Sequence, residues 1–338
     1  MGRKLLAAVD DSPTSHRAAL WLLNNVARQG DDVHLLAIAP PPSYAMQPAP
    51  IASAGAVAAI SLNWEQQRKA EEEKCRATLH KVVRELPEGR LEEMSIHRHV
   101  LPAAGGASGV AESVVAFAKE HGADLVAVGS RGMGAVKSTL MSLVGLGSVS
   151  GYLVHHLHCP VAICRGREGD VAARDSKKVM VSLDDSEASK RALGWAVDNV
   201  LGPKDELHLV CVALPIPYPI VAEDAAASEV LEADEFDAAT QDSLHYAREI
   251  VTKAVDSAAT KVDSSRIFFK ALAPEGGASD VGQSIVHYAK ENAVSMAVLG
   301  ARGMGSWKRA IMLFVGLGSV SDYVVHHCDI PVVIIKQQ

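Results

Sequence analysis

The chain has 338 residues, which is long for one domain and comfortable for two, and 48% of them are hydrophobic. Its formal net charge is −7 with Lys and Arg scattered along the chain, which argues against nucleic acid as the main partner, because phosphate binding needs a concentrated basic face. The five cysteines form no CxxC pair, and the apolar stretch at 51–62 is too short to span a bilayer. We therefore expect a reduced, cytoplasmic protein with no membrane partner.

Short apolar runs alternate with helical periodicity along the first half of the chain. Because most of the runs are short and uniformly apolar, they predict strands that are buried on both faces. Ser12 and Pro13 mark the start of the first helix as its N-cap and first helical residue. This alternation predicts a mostly parallel sheet with helices on both faces. Strands are predicted at 5–9, 33–39, 94–101, 125–129 and 160–164, and helices at 14–28, 63–84, 110–121 and 149–157.

The second half of the chain repeats the first. Residues 129–163 and 300–334 are identical at 21 of 35 positions, a density that chance does not produce. Between the copies lies RGREGDVAARDSK, a charged segment without periodicity that indicates a linker. We predict a first domain at 1–166, a linker at 167–176 and a second domain at 177–338.

Each copy contains two glycine-rich turns. In the first copy, Gly129 and Gly132 follow the fourth strand, and Gly147 and Ser148 stand where the last helix begins. Glycines let a backbone curl closely around a ligand, and the free N–H groups of a helix start favour a phosphate. Turn geometry and an N-cap serine explain a single such loop equally well, but two turns at one helix start, in both copies, favour phosphate binding. Neither GxxxxGK[ST] nor GxGxxG is present, so a P-loop NTPase and an ordinary dinucleotide fold have no support.

These residues resemble those of the universal stress protein family. ATP-binding members of that family carry G-x2-G, nine further residues and then G-S or G-T, after an earlier strand that ends in Asp. Gly129-x2-Gly132 and Gly147-Ser148 match this pattern, as do their counterparts in the second copy, and the resemblance covers essentially the whole chain twice. One departure is that the spacer has fourteen residues in both copies, five more than the pattern.

The resemblance implies two tandem α/β domains, each a five-stranded parallel open sheet of order 3-2-1-4-5 with helices on both faces. In that order the connections leaving strands one and four diverge and open a crevice for a ligand. The implied ligand is ATP, ADP or AMP, one per domain, with any Mg²⁺ carried by the triphosphate.

The resemblance also implies which residues hold the nucleotide. Asp10 and the backbone of Ile38 would meet the adenine, and Val128 and Gly129 the ribose. The phosphates would be held by Gly132, Gly147, Ser148 and Ser150, with Val149 between the serines. Arg131 lies between the first two glycines, where it could approach a phosphate or equally well be solvated. The matching residues of the second copy are Asp184, Val212, Leu299, Gly300, Arg302, Gly303, Gly318, Ser319, Val320 and Ser321.

Little in the crevice indicates catalysis. The pairs Asp10-Asp11 and Asp184-Asp185 are the only recurring acids there, and no histidine recurs, whereas hydrolysis of ATP requires a positioned base and a polarising cation. The recurring pair His155-His156 points about 100° apart on a helix and does not chelate a metal. We predict no catalytic residue and no metal site.

We therefore interpret the chain as a nucleotide-dependent regulator of a stress response, with slow hydrolysis or none. A nucleotide-processing enzyme, such as a weak ATPase, and a nucleotide-free dimerisation scaffold are the alternatives. Family members pair through the last strand of each domain. The resemblance thus implies that CPVAICR and IPVVIIK pair within one chain, or that the chain forms a homodimer.

Overall fold

The structure is a computed structural model that describes residues 2–41, 54–103, 106–130, 148–165, 174–213, 233–273, 278–301 and 319–336. At 54–62, 106–108, 148, 233–239, 278–280 and 319 it describes the backbone alone. The chain divides into two compact units, Met1–Ala173 and Arg174–Gln338. None of the helices in the described ranges has the length and apolar character that crossing a membrane requires.

The first unit is a parallel sheet with helices between its strands. The strands are β1 (Lys4–Ala8), β2 (Asp32–Ala39), β3 (Ser95–Pro102), β4 (Leu125–Gly129) and β5 (Val161–Cys164), and the helices are α1 (Pro13–Trp21), α2 (Ala54–Arg84), α3 (Glu88–Glu93), α4 (Gly106–His121) and α5 (Ser148–His156). The strands run in the order β3-β2-β1-β4-β5, and every neighbouring pair is parallel. A π-helical turn, Leu22–Val26, continues the first helix, and the short α3 was not predicted from the sequence.

The second unit has the same architecture. Its strands are β6 (Lys178–Leu183), β7 (Glu206–Val212), β8 (Ile267–Leu272), β9 (Met296–Ala301) and β10 (Val332–Lys336), and its helices are α6 (Glu187–Asn199), α7 (Ala233–Ala258), α8 (Ala278–Glu291) and α9 (Ser319–His327). A 3-10 turn, Ser264–Arg266, precedes β8. The strands run in the order β8-β7-β6-β9-β10 and are again parallel, so the predicted order 3-2-1-4-5 is confirmed in both copies.

Burial follows the position of each strand in its sheet. Central strands such as β1 and β4 are almost wholly buried on both faces, as their apolar runs predicted. The expectation of burial on both faces is wrong for β3, in which no residue is fully buried. Among the strands that the structure describes, β3 pairs with β2 alone and so lies at the edge of its sheet. Its second-unit counterpart β8 exposes Phe269 to 59%. Edge strands have a neighbour on one side only, so helices cover them less completely.

Each sheet is anchored at its start by a buried aspartate. Asp31, which precedes β2 and is 4% exposed, accepts hydrogen bonds from the backbone N–H groups of Arg3 (3.0 Å) and Arg28 (2.8 Å) and from the Arg3 guanidinium (2.5 Å). Asp205, which is also 4% exposed, accepts from the N–H groups of Lys177 (2.7 Å) and Gly202 (2.7 Å). Both carboxylates tie the segment before the first strand to the turn before the second. Burial alone would raise the pKa of Asp31, but the bonds from Arg3 and Arg28 hold that pKa below its ordinary value.

Asp31→Asn and Asp205→Asn should each lower the free energy of unfolding by about 2–4 kcal/mol, because buried donors lose a charged acceptor. Urea unfolding at pH 7 measures this. The matched control is Asp198→Asn, whose carboxylate is 53% exposed in its ion pair with Lys261 and should change stability by less than about 1 kcal/mol. Because the pKa of Asp31 is lowered by folding, its contribution is complete above about pH 4 and is lost as the pH falls further. Equal effects of buried and exposed substitutions would contradict the anchoring role.

The first glycine of each motif lies directly under a helix start. A Cβ on Gly129 would lie 2.6 Å from the backbone nitrogen of Ser15 in α1. A Cβ on Gly300 would lie 2.5 Å from the carbonyl carbon of Ala188 in α6. Real side chains do not approach backbone atoms this closely, so the helix rests on the strand end only because the residue is glycine.

Gly300→Ala should therefore destabilise the second unit by about 1–3 kcal/mol, because the first turn of α6 must move to admit the methyl group. Gly194 is the control: it is exposed on the same helix, and a Cβ there meets no atom within 4 Å. Gly194→Ala should stabilise the protein by about 0.5–1 kcal/mol through helix propensity. Thermal unfolding of both variants gives the two signs. A neutral Gly300→Ala would show that the helix start can shift freely.

Candidate functional site

The candidate site lies at the carboxyl ends of adjacent strands in each unit. In the first unit β1 pairs with β4, and the chain leaves β1 toward β2 on one side and β4 toward β5 on the other. This is the topological switch point where open α/β sheets hold ligands. The ends of these strands carry Asp10 and Gly129, and α5 begins nearby.

A compact hydrogen-bond network fixes the turn that follows β1. The Asp10 carboxylate accepts from the backbone N–H (3.0 Å) and the hydroxyl (2.5 Å) of Ser12. The Ser12 hydroxyl oxygen in turn accepts from the N–H of Ser15 (3.2 Å), which confirms Ser12 as the N-cap of α1. The Ser15 hydroxyl, 4% exposed, accepts from the N–H of Asp10 (3.0 Å) and donates to the carbonyl of Asp10 (2.8 Å). We call these three residues the aspartate–serine network.

The second unit builds the same network from Asp184, Ser186 and Ser189. The Asp184 carboxylate accepts from the N–H (3.0 Å) and the hydroxyl of Ser186, and Ser186 is the N-cap of α6. The Ser189 hydroxyl donates to the carbonyl of Asp184 (2.5 Å). Ser15 and Ser189 were not predicted from the sequence. The signal was available, because DDSPTS and DDSEAS share the pattern D-D-S-x-x-S.

The predicted site residues near the ends of β4 and β9 expose only main-chain atoms to a ligand. Val128 and Leu299 are 3% and 2% exposed, so their side chains belong to the core. Gly129 and Gly300 follow them, with one face filled by a helix start. Any ligand contact with these residues must therefore be made by main-chain atoms. Ile38 and Val212 lie at the ends of β2 and β7 and pair with Leu101 and Leu272.

The start of the last helix lies against the end of the fourth strand in both units. The buried Ser150 hydroxyl of α5 donates to the carbonyl of Ser130 (3.3 Å), and the Ser321 hydroxyl of α9 donates to the carbonyl of Gly300 (3.4 Å). These bonds are long for a hydroxyl donor and correspondingly weak. The structure thus brings the two ends of each glycine-rich segment together, with Val149 and Val320 half-buried beside the serines.

Several predicted site residues lie outside what the structure describes. Ser148 and Ser319 begin α5 and α9, but only their backbones are described. The long segments 131–147 and 302–318, which include both fourteen-residue spacers, are outside the described ranges. The predicted residues in them are Arg131, Gly132, Gly147, Arg302, Gly303 and Gly318.

The surroundings of the two aspartate–serine networks differ. In the second unit, Tyr246 of α7 donates its hydroxyl to the Asp185 carboxylate (2.9 Å), and this bond raises the pKa of Tyr246. In the first unit, burial raises the pKa of the Cys75 thiol in α2, and the nearby carboxylates, including Asp10, raise it further. The long helix therefore approaches the strand-one turn in both units but brings a different side chain to it.

The recurring histidines take a structural position. His156 and His327 stand in the last turns of α5 and α9, and the Nδ1 atom of each bonds to the carbonyl four residues earlier (2.8 Å in both). Each ring also stacks on the tyrosine at that earlier position. Among the described residues, no group of three or more His, Cys, Asp or Glu side chains is arranged to hold a metal ion.

A cleft in the second unit lies away from the candidate site. It has a volume of about 400 Å³ and is lined by residues that include Leu201, Pro203, Lys261 and Arg266. These residues precede β7 and β8, at the amino ends of the strands, whereas the glycine motifs follow the carboxyl ends. The cleft therefore does not belong to the crevice at the switch point.

Known proteins resemble this chain in sequence and in fold. Universal stress protein PHOS32 of Arabidopsis thaliana is 29% identical over 174 residues, which are 47% of this chain and 64% of that protein. The chain thus spans less than two-thirds of the length of that relative. A universal stress protein from Archaeoglobus fulgidus DSM 4304 has a solved structure that is 17% identical, covers 99% of this chain and 96% of its own, and superimposes with a TM-score of 0.58.

One further solved structure is a universal stress protein family protein of Arabidopsis thaliana with AMP bound, where AMP is a ligand of that protein. It is 22% identical, covers 48% of this chain and 92% of its own, and has a TM-score of 0.29. The family model described as universal stress protein family matches twice, at residues 1–165 and 176–336. With both repeats matched over nearly their whole length, the chain belongs to the universal stress protein family.

Proposed function

We propose that each repeat binds one adenine nucleotide at its switch point, and that the bound nucleotide makes the protein a regulator in a stress response. The observation that carries the proposal is the aspartate–serine network, built twice with the same bonds beside a glycine-ended strand. Such a network holds a carboxylate at the edge of a crevice whose other wall is a helix start. By resemblance to the ATP-binding members of the family, this carboxylate would meet the adenine.

The helix start suits the other end of the nucleotide. Backbone N–H groups in the first turn of α5 and α9 have no partner within the helix and lie at the positive end of the helix dipole. That end attracts phosphate oxygens. The long bond made by Ser321 costs little to exchange for a bond to phosphate. We therefore assign phosphate binding to this end, together with the glycines of the segments at 131–147 and 302–318. Any Mg²⁺ would be held mainly by the triphosphate.

The proposed role of the nucleotide is to select a conformation or a partner. A ligand shifts an equilibrium only by its difference in affinity between two states, and such a role requires no hydrolysis. The Asp10 and Asp184 carboxylates each hold the next helix's N-cap serine through two hydrogen bonds. That structural use makes them poor candidates for a mobile general base. Pairing of the two repeats through their last strands, homodimer formation and a cytoplasmic location stay predictions.

Calorimetric titration of the full chain with ATP and Mg²⁺ should reveal two sites. Asp10→Asn keeps an oxygen for Ser12 but removes the charge and replaces one acceptor oxygen by a donor. It should weaken the first site about tenfold or more, since a hydrogen bond to a charged group contributes about 1.5–3 kcal/mol. Asp11→Asn, at the exposed neighbouring residue, is the control and should leave both affinities unchanged. Gly132→Val and Gly303→Val should each abolish one site.

Calorimetry and thermal unfolding together can refute nucleotide binding. A parent chain that gives no heat and no thermal shift with ATP, ADP or AMP would refute nucleotide binding and leave the scaffold interpretation. A nucleotide present at a hundred times its dissociation constant would raise the free energy of unfolding by about 2.7 kcal/mol, so binding would be detected as a thermal shift.

Bound ATP should remain largely intact. Enzymes typically turn over at about 1–1000 s⁻¹, and we expect this protein to be slower than about one event per minute, because the Asp10 and Asp184 carboxylates at the crevice already hold the N-cap serines. Quantifying ADP and AMP by ion-exchange chromatography after incubation with ATP and Mg²⁺ provides the test. Rapid product formation that falls in each of Gly132→Val and Gly303→Val and is lost in the double variant would show that the protein is a nucleotide-processing enzyme and not a regulator.

A further inference from the structure

Four histidines gather at one edge of the first unit. His34 of β2 is paired in register with His97 of β3, and His99 lies two residues further on the same face of β3. The ring centroid of His34 is 5.0 Å from that of His97, 5.2 Å from that of His99 and 5.3 Å from that of His121 in α4. We call His34, His97, His99 and His121 the histidine cluster.

The rings of the cluster contact one another and α4. The Nδ1 atom of His34 and the Nε2 atom of His99 are 3.1 Å apart and share a hydrogen bond. His121 bonds through Nδ1 to the carbonyl of Phe117 (3.1 Å) and stacks on the Phe117 ring at 3.8 Å. That ring lies 4.8 Å from His99 and so closes the cluster on the helix side.

A shared hydrogen bond between two imidazoles limits how much charge the cluster accepts. When both rings are neutral, one nitrogen donates and the other accepts. A first proton can be accommodated, because the acceptor nitrogen remains. A second proton would place N–H against N–H and two positive rings in contact, with His97 and His121 only 5–6 Å away.

Negatively charged groups near the cluster offset little of the repulsion between protonated rings. Asp32, at the start of β2, is the acidic group that acts on His34, and its Oδ1 atom lies 3.7 Å from Nε2 of His97. The carboxylate is 42% exposed, so solvent screens it. Arg98 of β3 bonds instead to His80 of α2. The remaining titratable groups that act on His34 are the other three rings of the cluster.

Burial lowers the pKa of His34 to about 4, and its three histidine neighbours contribute in the same direction, whereas Asp32 opposes them. Burial also lowers the pKa of His99, and His121 and His97 add to this shift. An unfolded histidine binds a proton near pH 6.5. Since folded His34 and His99 bind protons more weakly than they do in the unfolded chain, the stability they contribute is lost as the pH falls below about 6.5, and the loss from His34 is complete near pH 4.

The second unit provides an internal comparison. Its register equivalent of His34 is His208, which pairs with Phe268 in place of His97. His208 bonds to the Tyr288 hydroxyl (3.0 Å) and has the Glu206 carboxylate 3.3 Å from its other nitrogen. A single ring with a carboxylate beside it can take up a proton without meeting a second protonated imidazole. The Lys178 ammonium, which also pairs with Glu206, opposes this proton uptake. Burial lowers the pKa of His208, and the bond with Glu206 acts against this shift.

We propose that the histidine cluster is an acid-sensitive catch, which holds β3 and the carboxyl-terminal half of α4 against β2 at neutral pH and releases them when the surroundings become acidic, while the matching edge of the second unit, with its single histidine, loosens much less. The geometry carries this inference, because four imidazoles lie together at one half-buried edge of the sheet and a hydrogen bond joins two of them, His34 and His99. The repeat that lacks three of the rings lacks the catch.

Hydrogen–deuterium exchange of the full chain, corrected for intrinsic exchange and measured from pH 7 to pH 4.5 with EDTA present, tests the proposal. Protection of peptides from 95–102 and 106–121 should fall by about tenfold or more, as one strongly shifted group lowers stability about tenfold per pH unit. Peptides from 267–272 and 278–291 should lose less than a third as much. Similar losses in both units would overturn the catch.

A variant that borrows residues from the second unit sharpens the test. His97→Phe places the residue that β8 has in that register, His121→Asn corresponds to Asn292, and His99→Gln keeps a polar partner for His34 without a titrating ring. The triple variant should lose most of the acid response in peptides 95–102 and 106–121. The control is His245→Gln, at a 72% exposed histidine, which should retain it in full. An unchanged response in the triple variant would contradict the proposal.

Imidazole NMR titration of the parent chain gives an answer that does not depend on how well the variant folds. At least one ring of the cluster should remain neutral below pH 5, and its titration should be coupled to that of a second ring. Four independent titrations near pH 6.5 would show that the rings are not a unit and would overturn the inference.

Discussion

The architecture of each site depends on the fit between a strand end and the helix start that lies on it. At the end of β4, Gly129 leaves no room for a Cβ, and the first turn of α1 occupies that space. The aspartate–serine network then fixes how the chain turns from β1 into the same helix. Together these contacts set the position of one wall of the crevice relative to the sheet, before any ligand is considered.

The two repeats show which parts of this arrangement the fold requires and which are free to change. The glycine under the helix start, the N-cap serine and the second serine are present in both, with matching hydrogen bonds. The edge strands share no such identity, since β3 carries SIHRHVL where β8 carries IFFKAL. The sheet centre is therefore specified by packing geometry, whereas its edge tolerates different chemistry because solvent fills one side.

Sequence patterns predict the centre of this protein well. Buried strands such as β1 and β4 are read directly from apolar runs, and Ser12 before Pro13 marks the helix start that the structure confirms. The burial of edge strand β3 was harder to predict, because it depends on which strands lie beside β3 in the sheet. The local sequence pattern does not contain that information. Ser15 was missed although the repeated pattern D-D-S-x-x-S includes it, because the pattern does not show that this serine bonds back to the turn before its own helix. Helix α3 was missed because six residues carry too little periodicity.

Long-range contacts explain why the histidine cluster could not be predicted either. His34, His97 and His121 are far apart in sequence and meet only because β2 and β3 are paired in register under the end of α4. The cluster lies near the amino ends of the strands, whereas the proposed nucleotide crevice lies at their carboxyl ends. His34 and Ile38 are four residues apart on β2, which corresponds to about 13 Å. Acid sensitivity at one end and nucleotide binding at the other therefore rest on different residues, and each can fail without the other.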